Sequence, residues 1–571
     1  MDIVVCGGLT ALELVALDLP GKGLDGLYIV KTFLAVLLMQ YTLLKVYRIT
    51  LYPNLLSPLR NLPGPKDHNL FLGQELKKLK AESPASVQLQ WMREWPDAPF
   101  IRYISFAGKE VLLANSLAAH KAVLQTHVYD FVKPPFFARL VGEITGTGLL
   151  FAEGDAHRRE RRLLAGPFSV PGMRKLLPVF RRKAKNLSET FEHTLGDKNH
   201  ATVEVMKTLS KSTMDTIGVT VLGIELDTIA SIYPQGFQEL YGQILHQGPI
   251  GQLLMVINAV IPIRSIVPLD ANRKFLKANN DLRKMLRDII HKRAADLADG
   301  TFKKEMGESR DILTYMLEEA ELRRQETRKE VWSADDIIGH LLNFTSAGHE
   351  STATTLAWSL YVLATNHSIQ DRLRSEIVSL LNTNPEPDYD AIFGLPYLHN
   401  FVREVLRVYP PSHMAQRQTT RPLVIEGTSI PKGTQIDISI PLVHQHPAIW
   451  GPDAAVFDPD RWDRLTGTAA ASPFAFEAFL QGPRTCPGRN FALIEVKAVL
   501  LELLARWRFM GIERGPAGDG EKNGENEGGE SDSEGELLTD GEECVGRGVK
   551  LANPSLTYRP AGGLYVRFER L

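Results

Sequence analysis

The sequence predicts a mainly α-helical α+β fold with small β-sheets, in one large domain behind an N-terminal apolar helix. Helical hydrophobic patterns dominate from about residue 70 to residue 510, and only short strand-like runs interrupt them. Two such runs are LVIEG at 423–427 and TQIDISI at 434–440. Long helices with few strands are typical of an α-rich α+β domain. The 571 residues exceed what one ordinary core needs, so one large fold with extensions, or several domains, is expected.

The first element is an apolar run at 26–44, GLYIVKTFLAVLLMQYTLL, in which Lys31 and Gln40 are the strongly polar residues. As a helix this run would span roughly 28 Å, close to the hydrocarbon thickness of a bilayer. It starts late and lacks a small-residue cleavage site, which argues against a signal peptide and leaves a buried core helix as the alternative. Acidic residues precede it and basic residues follow it, so the positive-inside rule places 1–25 in the lumen and the rest in the cytosol.

A basic, proline-containing stretch over 45–65 ends in the sequence LPGP, which predicts a stiff, extended neck because prolines fix φ and disfavour helix before them. The main domain is then expected over 66–571. From 515 to 544 the chain has eleven acidic residues, one lysine and almost no large apolar side chains. Such a stretch cannot bury enough surface to offset its ordering entropy, so a disordered acidic loop is predicted. Strand-like sequence resumes after it, so the loop interrupts the domain.

Charge and cysteine usage restrict the classes of function. The net charge is −2, and because the acidic loop alone carries −10, the rest of the chain carries +8. A mildly basic body suits an anionic lipid surface or an acidic partner protein, whereas nucleic-acid binding would need a denser basic patch. Cys6, Cys486 and Cys544 lie far apart and cannot form a disulfide framework, which fits a reducing compartment. A cysteine that does chemistry must therefore act alone, as a nucleophile or a metal ligand.

The surroundings of Cys486 have the features of a thiolate site. Gly482 and Gly488 allow the backbone to turn tightly and to approach a flat cofactor. An amphipathic helical pattern begins directly after the cysteine, and a helix N-terminus stabilises a thiolate. Arg484 adds a cation two residues earlier. A lone cysteine is more often a small buried hydrophobe, but the regular spacing of Phe479 and these residues favours a metal ligand here.

The same residues resemble the haem-binding loop of the cytochrome P-450 family, which reads F-x-x-G-x-R-x-C-x-G. Phe479, Gly482, Arg484, Cys486 and Gly488 fill every position. The resemblance implies the P-450 fold, haem b as the cofactor and Cys486 as the axial iron ligand, whose thiolate favours O–O cleavage. It covers roughly residues 62–571 apart from the acidic loop, and further motifs follow in the family's order.

Three charged residues match positions that maintain the structure in this family. Glu404 and Arg407 form the E-x-x-R pattern, in which residues at i and i+3 share one helix face. Arg461, in the sequence FDPDRW, matches the arginine that completes the family's structural triad. By itself the E-x-x-R pattern would look the same as a solvated surface pair. We expect this triad to support the fold and the haem site and not to take part in chemistry.

An oxygen-activation motif is expected inside a long helix that starts with a capping-box pattern near Ser333. The sequence AGHEST at 347–352 resembles the family pattern [AG]-G-x-[DE]-T-[TS], except that serine stands where threonine is usual. The resemblance implies that protons pass through Glu350 and through the hydroxyl of Ser351 or Thr352. Serine lacks the methyl group that restricts a threonine rotamer, so the division of work between the two hydroxyls stays open.

Further residues resemble the family's haem-propionate ligands. His157 stands at the tryptophan position of the W-x-x-x-R segment, as in many fungal members, and Arg161 holds the arginine position. A histidine can still donate a hydrogen bond to a carboxylate. Arg417 matches a third propionate position. The arginines beside Arg161 form either a basic face for an acidic redox partner or an ordinary solvated surface.

The resemblance implies a microsomal monooxygenase that inserts one oxygen atom from O₂ into a lipophilic small molecule, by hydroxylation or epoxidation, in secondary metabolism. Electrons would come from NADPH through a diflavin NADPH–cytochrome reductase, with cytochrome b5 as a second candidate donor. We expect a monomer in the endoplasmic reticulum membrane, its catalytic domain in the cytosol. The alternatives are a reductase-independent isomerase, dehydratase or peroxygenase, and a non-enzymatic haem sensor. Candidate pocket residues, each of which could equally pack in the core, are Phe131, Phe136, Phe137, Phe344, Ala347, Met414 and Leu556.

Overall fold

α-Helices make up most of the chain, as the sequence predicts. The computed structural model describes residues 2–16, 26–231, 236–245, 247–301, 310–328, 331–513, 551 and 557–571. The predicted acidic loop at 515–544 and the pocket candidate Leu556 lie outside these residues. The helices are α1 (Asp2–Ala16), α2 (Gly26–Val46), α3 (Glu75–Lys80), α4 (Ser86–Glu94), α5 (Leu117–Lys121), α6 (Pro135–Thr145), α7 (Gly154–Leu163), α8 (Val170–Leu195), α9 (Val205–Ile217), α10 (Gly236–Leu245), α11 (Pro249–Val260), α12 (Asp270–Ala298), α13 (Ile312–Thr327), α14 (Ala334–Thr365), α15 (His367–Thr383), α16 (Tyr389–Phe393), α17 (Pro396–Val408), α18 (Ile440–His444), α19 (Pro447–Trp450), α20 (Gly467–Ala471) and α21 (Arg489–Arg506).

The strands of the described residues form small sheets at the edge of the helical body. One sheet has the order β1-β2-β8-β5-β3, another β4-β10-β9, and β6 pairs with β7. Neighbouring strands are antiparallel except β2 and β8, which are parallel. The fold is therefore mainly α with small sheets, as predicted. The strands are β1 (Phe100–Ile104), β2 (Glu110–Ala114), β3 (Phe131–Val132), β4 (His200–Glu204), β5 (Met414–Thr419), β6 (Leu423–Ile425), β7 (Thr428–Ile430), β8 (Gln435–Ser439), β9 (Trp507–Glu513) and β10 (Tyr565–Arg570).

Helix α14 runs through the middle of the protein and carries the AGHEST sequence near its centre. Its start has the predicted capping box: the Ser333 hydroxyl accepts from the Asp336 N–H, and the Asp336 carboxylate accepts from the Ser333 N–H at 2.9 Å. Helices α9 and α21 pack along it, so few of its side chains reach solvent. The hydroxyl of Thr213 on α9 donates to the His349 carbonyl at 2.9 Å. The motif is thereby held between packed helices.

The N-terminal helix is long enough and apolar enough to cross a membrane. Helix α2 continues without a break into a π-helical stretch, so that one helix spans Gly26–Leu56 and its apolar window is not buried. This absence of burial is compatible with the predicted anchor. Helix α1 packs against α2, where Gln40 donates to the Glu13 carboxylate at 2.7 Å. Within the predicted neck at 45–65, the π-helical stretch covers Tyr47–Leu56, whose wide turns accommodate Pro53, and the LPGP sequence follows it outside any helix.

Candidate active site

Cys486 lies in a tight loop directly before α21. The loop is closed by the Cys486 N–H, which donates to the Phe479 carbonyl at 2.8 Å. Gly482 has a φ of +76°, and a Cβ there would stand 2.2 Å from the Leu124 carbonyl oxygen, so no other residue fits. Gly488 caps the start of α21 and leaves only its neighbour Cys486 nearby, at 3.8 Å from a virtual Cβ. The space over Gly488 is thus open to a flat group lying on the sulfur.

The Cys486 thiol is accessible although protein surrounds it on all sides, as expected for a side chain that faces an internal cavity. Burial raises the pKa of this thiol, whereas the Gly488 N–H and the Arg161 guanidinium act in the opposite direction without reversing the shift. The side chains alone therefore leave the thiol protonated. A metal ion at the sulfur would complete the ionisation, because a coordinated thiol loses its proton.

Five cationic or basic side chains converge beside this loop: Lys133, His157, Arg161, Arg417 and Arg484. Burial, and then the charges of Arg417 and Arg484, lower the pKa of Lys133 to about 7. Burial, and then the four neighbouring cations, lower the pKa of His157 to about 4. Burial and then Arg484 lower the pKa of Arg417 to about 10. The positive charges of these groups repel one another, and their burial leaves little solvent to screen the repulsion.

One carboxylate, Glu153, contacts this cluster within the described part of the chain. Arg484 forms an ion pair with Glu153 and also donates to the Ala152 carbonyl at 2.9 Å. The Lys133 ammonium lies 3.9 Å from the same carboxylate. One anion cannot neutralise three arginine charges and a partly protonated lysine, so the cluster has the charge balance of an anion site. The two propionates of a haem meet that need, and Arg161 links the cluster to Cys486.

His157 occupies the cluster in a form suited to a carboxylate. Its lowered pKa keeps the ring neutral at physiological pH. The Tyr129 hydroxyl lies 3.3 Å from Nδ1, and either group can donate, depending on the tautomer of the ring. A neutral imidazole carries one N–H, so histidine keeps a donor where the resemblance implies a tryptophan N–H.

The two hydroxyls of the AGHEST motif have different surroundings. Ser351 is accessible from a cavity between α14 and α21, and its hydroxyl donates to the Ala347 carbonyl at 2.6 Å. Thr352 also borders that cavity but is only 1% exposed, and its hydroxyl has no hydrogen-bond partner among the described residues. It lies next to the buried carboxyl of Glu495 on α21. The Ser351 hydroxyl is therefore the one that a small molecule in the cavity can contact, whereas the Thr352 hydroxyl is buried in the protein.

Glu350 points towards the C-terminal segment of the chain. Its Oε1 accepts from the Thr557 hydroxyl at 2.9 Å and lies 3.2 Å from the Arg559 guanidinium. The side chain of Glu350 is 26% exposed, so it can exchange protons with solvent. Glu350 and Ser351 are adjacent in sequence, but the Glu350 carboxylate contacts the C-terminal segment, whereas the Ser351 hydroxyl bonds to the backbone of α14.

The three triad residues come together in the core below the cysteine loop. Arg407 donates to both oxygens of Glu404, at 2.9 and 2.7 Å, and both side chains are fully buried. Arg461 lies 3.6 Å from Glu404 and makes its shorter contact, 2.9 Å, with Asp453. Arg407 also donates to the His444 carbonyl at 2.8 Å. The triad therefore ties α17 to the segments that precede the cysteine loop.

The pocket candidates separate into three groups. Phe131 was placed in the pocket, but it lies in β3, 1% exposed, within an apolar cluster under the first sheet, and it is core packing. Phe344 is partly buried and packs edge-on against Phe168. The remaining described candidates, Phe136 and Phe137 on α6, Ala347 on α14 and Met414 on β5, are accessible or partly accessible.

Lys133, Glu153 and Glu495 belong to the site, although no local pattern indicates them. Lys133 and Glu153 reach the cation cluster through the fold. Glu495 is 2% exposed, neither carboxyl oxygen has a hydrogen-bond partner in the described residues, and burial raises its pKa to about 8 despite the nearby hydroxyls of Thr216 and Thr352. Glu495 could have been found from the sequence, because it is an acidic residue within the apolar pattern of α21.

Comparison with known proteins agrees with this arrangement. The family model for Cytochrome P-450 matches residues 63–519. The chain is 29% identical over 492 residues to cytochrome P-450 monooxygenase sphH of Aspergillus fumigatus, covering 83% of this chain and 88% of the relative. It is 30% identical over 479 residues to cytochrome P-450 monooxygenase 205 of Postia placenta, covering 79% and 86%. A thiol at a helix start, a cation cluster beside it and this family match give one conclusion: the chain belongs to the cytochrome P-450 monooxygenase family of oxidoreductases.

Proposed function

We propose that this chain is a membrane-anchored haem-thiolate monooxygenase that inserts one oxygen atom from dioxygen into a lipophilic small molecule, in fungal-type secondary metabolism. The observation that carries the proposal is the shared position of Arg161, which acts on the Cys486 thiol and also belongs to a cation cluster short of anions. A haem offers an iron for the thiol and two carboxylates for the cations. Bound haem supplies the reductive activation of dioxygen, which amino-acid side chains cannot perform.

The side chains have separate tasks in this proposal. Cys486 holds the iron as a thiolate. His157, Arg161, Arg417 and Arg484 bind the propionates, and Lys133 joins them as an additional cation. Ser351 holds a proton or a water molecule at the cavity surface, and Glu350 exchanges protons between that place and solvent.

Electrons and substrate are proposed to arrive by different routes. An NADPH–cytochrome reductase would supply the electrons, with cytochrome b5 as a further donor, at the basic face of α7. The endoplasmic reticulum membrane would supply the lipophilic substrate, with the catalytic domain on the cytosolic side. Besides the anchor, α11 supports a membrane position, because Ile250, Leu253, Val256 and Val260 expose apolar side chains along this helix. No single-residue feature specifies the substrate.

A reductase-independent isomerase, dehydratase or peroxygenase is the second candidate. Such an enzyme would not need a proton route for dioxygen cleavage. The presence of Glu350 and an accessible hydroxyl on Ser351 favours the monooxygenase.

Oxygen consumption tests the proposal directly. Full-length protein and a purified fungal NADPH–cytochrome reductase, together in vesicles, should consume oxygen with NADPH in the presence of a binding substrate, and isotope-labelled dioxygen should appear in the product. Turnover with peroxide alone, and none with NADPH and reductase, would contradict the monooxygenase and support the second candidate.

A further inference from the structure

The segment at 557–560 is fixed to the protein body by its backbone. The Tyr558 N–H donates to the Pro411 carbonyl at 2.9 Å, and Thr557 forms a β-bridge with Ser412. The Tyr558 carbonyl accepts from the Trp358 indole at 2.7 Å. Trp358 is fully buried on α14, two turns beyond the AGHEST motif. Both polar backbone groups of Tyr558 are therefore bonded, and moving the segment would leave buried groups without partners.

This fixed backbone directs two side chains to one atom of Glu350. Thr557 and Arg559 flank Tyr558, and alternate residues of an extended chain project to the same side. The Thr557 hydroxyl donates to Glu350 Oε1 at 2.9 Å, and the Arg559 guanidinium lies 3.2 Å from the same oxygen. The C-terminal segment thus holds the acid of the oxygen-activation motif from outside the helix that carries it.

Few titratable groups face Glu350 from the surrounding elements. Arg559 approaches from the C-terminal segment. The buried phenol of Tyr241 approaches from α10, and burial, with a smaller contribution from Glu350, raises its pKa. A phenol that stays protonated adds no charge, so Arg559 is the charged partner of Glu350 among the described residues. With side chains 40% and 26% exposed, this ion pair is weak enough to open.

We propose that Thr557 and Arg559 form a tether that fixes the position of the Glu350 side chain and so controls its access to Ser351. The inference rests on the proposed function. Arg559 is a positioning residue, because it acts through Glu350. The carboxylate is engaged by Arg559 while the Ser351 hydroxyl bonds to Ala347, so Glu350 must leave Arg559 before it can carry a proton to Ser351. Thr557 keeps the carboxylate in place when the ion pair opens.

The test uses full-length protein loaded with haem and reduced with dithionite, which needs neither reductase nor substrate. The rate of re-oxidation in air-saturated buffer and the yield of hydrogen peroxide are measured as functions of pH for wild type, R559Q, R559K, T557V and E350Q. The control is R174Q, since Arg174 forms a more exposed ion pair with Asp390 on α16, away from Glu350.

Removal of the guanidinium should change the re-oxidation rate by about two- to fivefold, the size expected for a partly exposed ion pair. R559K should restore most of the wild-type profile, T557V should change the rate by a smaller factor, and R174Q should match wild type. In the E350Q background R559Q should have no further effect. A wild-type profile for R559Q, or an R559Q effect that persists with E350Q, overturns the tether.

A second measurement separates this inference from the proposed function. A double-mutant cycle for E350Q and R559Q in urea unfolding of the haem-free protein reports the pair itself. Measurable coupling supports the contact even if the protein proves not to be a monooxygenase. Additive effects of the two substitutions overturn the tether independently of any reaction.

Discussion

The sulfur of Cys486 illustrates how a single residue depends on a group from outside the chain. Burial works against its thiolate form, while one N–H and one distant guanidinium only reduce that penalty. Haem binding should therefore release a proton from Cys486, and haem affinity should rise with pH until the thiol ionises unaided.

Replacement of this sulfur gives the first prediction. C486S should abolish the red-shifted Soret band that a thiolate-ligated ferrous carbon monoxide complex shows, because a hydroxyl is a poor iron ligand. The difference spectrum of the reduced protein with carbon monoxide measures it. C6S, at a buried cysteine of α1, is the control and should retain the band. Persistence of the band in C486S would disprove the ligand assignment.

The buried acid Glu495 gives a second prediction, on the pH dependence of stability. Burial raises its pKa to about 8 in the folded protein, well above the value of an exposed glutamate. The folded state therefore binds more protons than the unfolded state between these two values, and stability should fall as pH rises through that window. E495Q should remove this fall and stabilise the protein at about pH 9 by roughly 2 to 4 kcal/mol.

Urea unfolding of wild type and E495Q at several pH values checks this prediction. E189Q is the control, because Glu189 is exposed on α8, a helix that packs against α21. Equal pH dependence of wild type and E495Q would show that the Glu495 carboxyl ionises freely in the folded state.

Residue patterns predicted Cys486 and its loop because the chemistry there is local: glycines, arginine and cysteine occupy consecutive turns. The same reasoning could not find Lys133 or Glu153, since they join the cluster through contacts between distant segments. It left Phe131 open between pocket and core, because an aromatic residue in an apolar run looks the same whether it lines a cavity or fills a core.

At the scale of elements, α14 and the segment before α7 meet backbone to backbone at Gly148 and Gly339, and side chains of α14 bond to the segment beside that point. His340 accepts from the Leu149 N–H at 3.1 Å, and Asn343 accepts from the Leu150 N–H at 2.8 Å. A Cβ on Gly148 would stand 2.6 Å from the Gly339 carbonyl oxygen. These contacts fix the segment that leads into the propionate-binding helix.

A methyl group at this crossing should separate the two elements. G148A should lower the free energy of unfolding by about 2 to 3 kcal/mol, because backbone atoms cannot move aside as a flexible side chain can. G242A is the control: a Cβ there meets nothing within 4 Å, and alanine favours the helix. Chemical denaturation measures both. A G148A protein as stable as wild type would mean that the helix and the segment can shift apart at little cost.

Sequence patterns predicted helices and caps better than their lengths. The capping box at Ser333 was predicted because its residues contact each other locally, and the structure confirms it. The helix that starts at Gly26 continues past the predicted 26–44 segment, because a π-helical stretch accommodates Pro53, and its Ile49 backbone packs closely on Gly108. That contact depends on a partner distant in sequence.

At the scale of the whole molecule, four segments far apart in sequence bring like charges together. Their repulsion destabilises the haem-free protein and becomes favourable only when an anionic ligand is present. Haem binding should therefore contribute to the free energy of unfolding by relieving this repulsion.

Removal of one such charge should act in opposite directions on the two forms. R417Q should stabilise the haem-free protein by about 1 kcal/mol and weaken haem retention by about tenfold, because it relieves repulsion and removes a propionate partner. Unfolding of both forms and haem transfer to apomyoglobin measure these effects. R421Q, at an exposed ion pair with Asp130, is the control and should change neither. Loss of stability in both forms of R417Q would contradict the charge argument.

The family could be predicted from the sequence because its motifs recur in a fixed order along the chain. The charge imbalance could not, since it depends on which cations the fold buries together. Neither the sequence motifs nor the charge imbalance predicts the substrate, because candidate pocket side chains such as Phe137 and Met414 are apolar and carry little chemical specificity.

The unbroken helix from Gly26 to Leu56 also has a mechanical consequence. Its 31 residues extend about 46 Å, whereas the hydrocarbon layer takes up only about 30 Å. In the proposed anchor, the remainder would extend out of the bilayer, and the Arg102 side chain bonds it to β1 through the Pro53 carbonyl at 2.6 Å. A tilt of this helix in the lipid would then change the orientation of the catalytic domain. We therefore expect bilayer thickness to influence the orientation of the domain relative to the membrane.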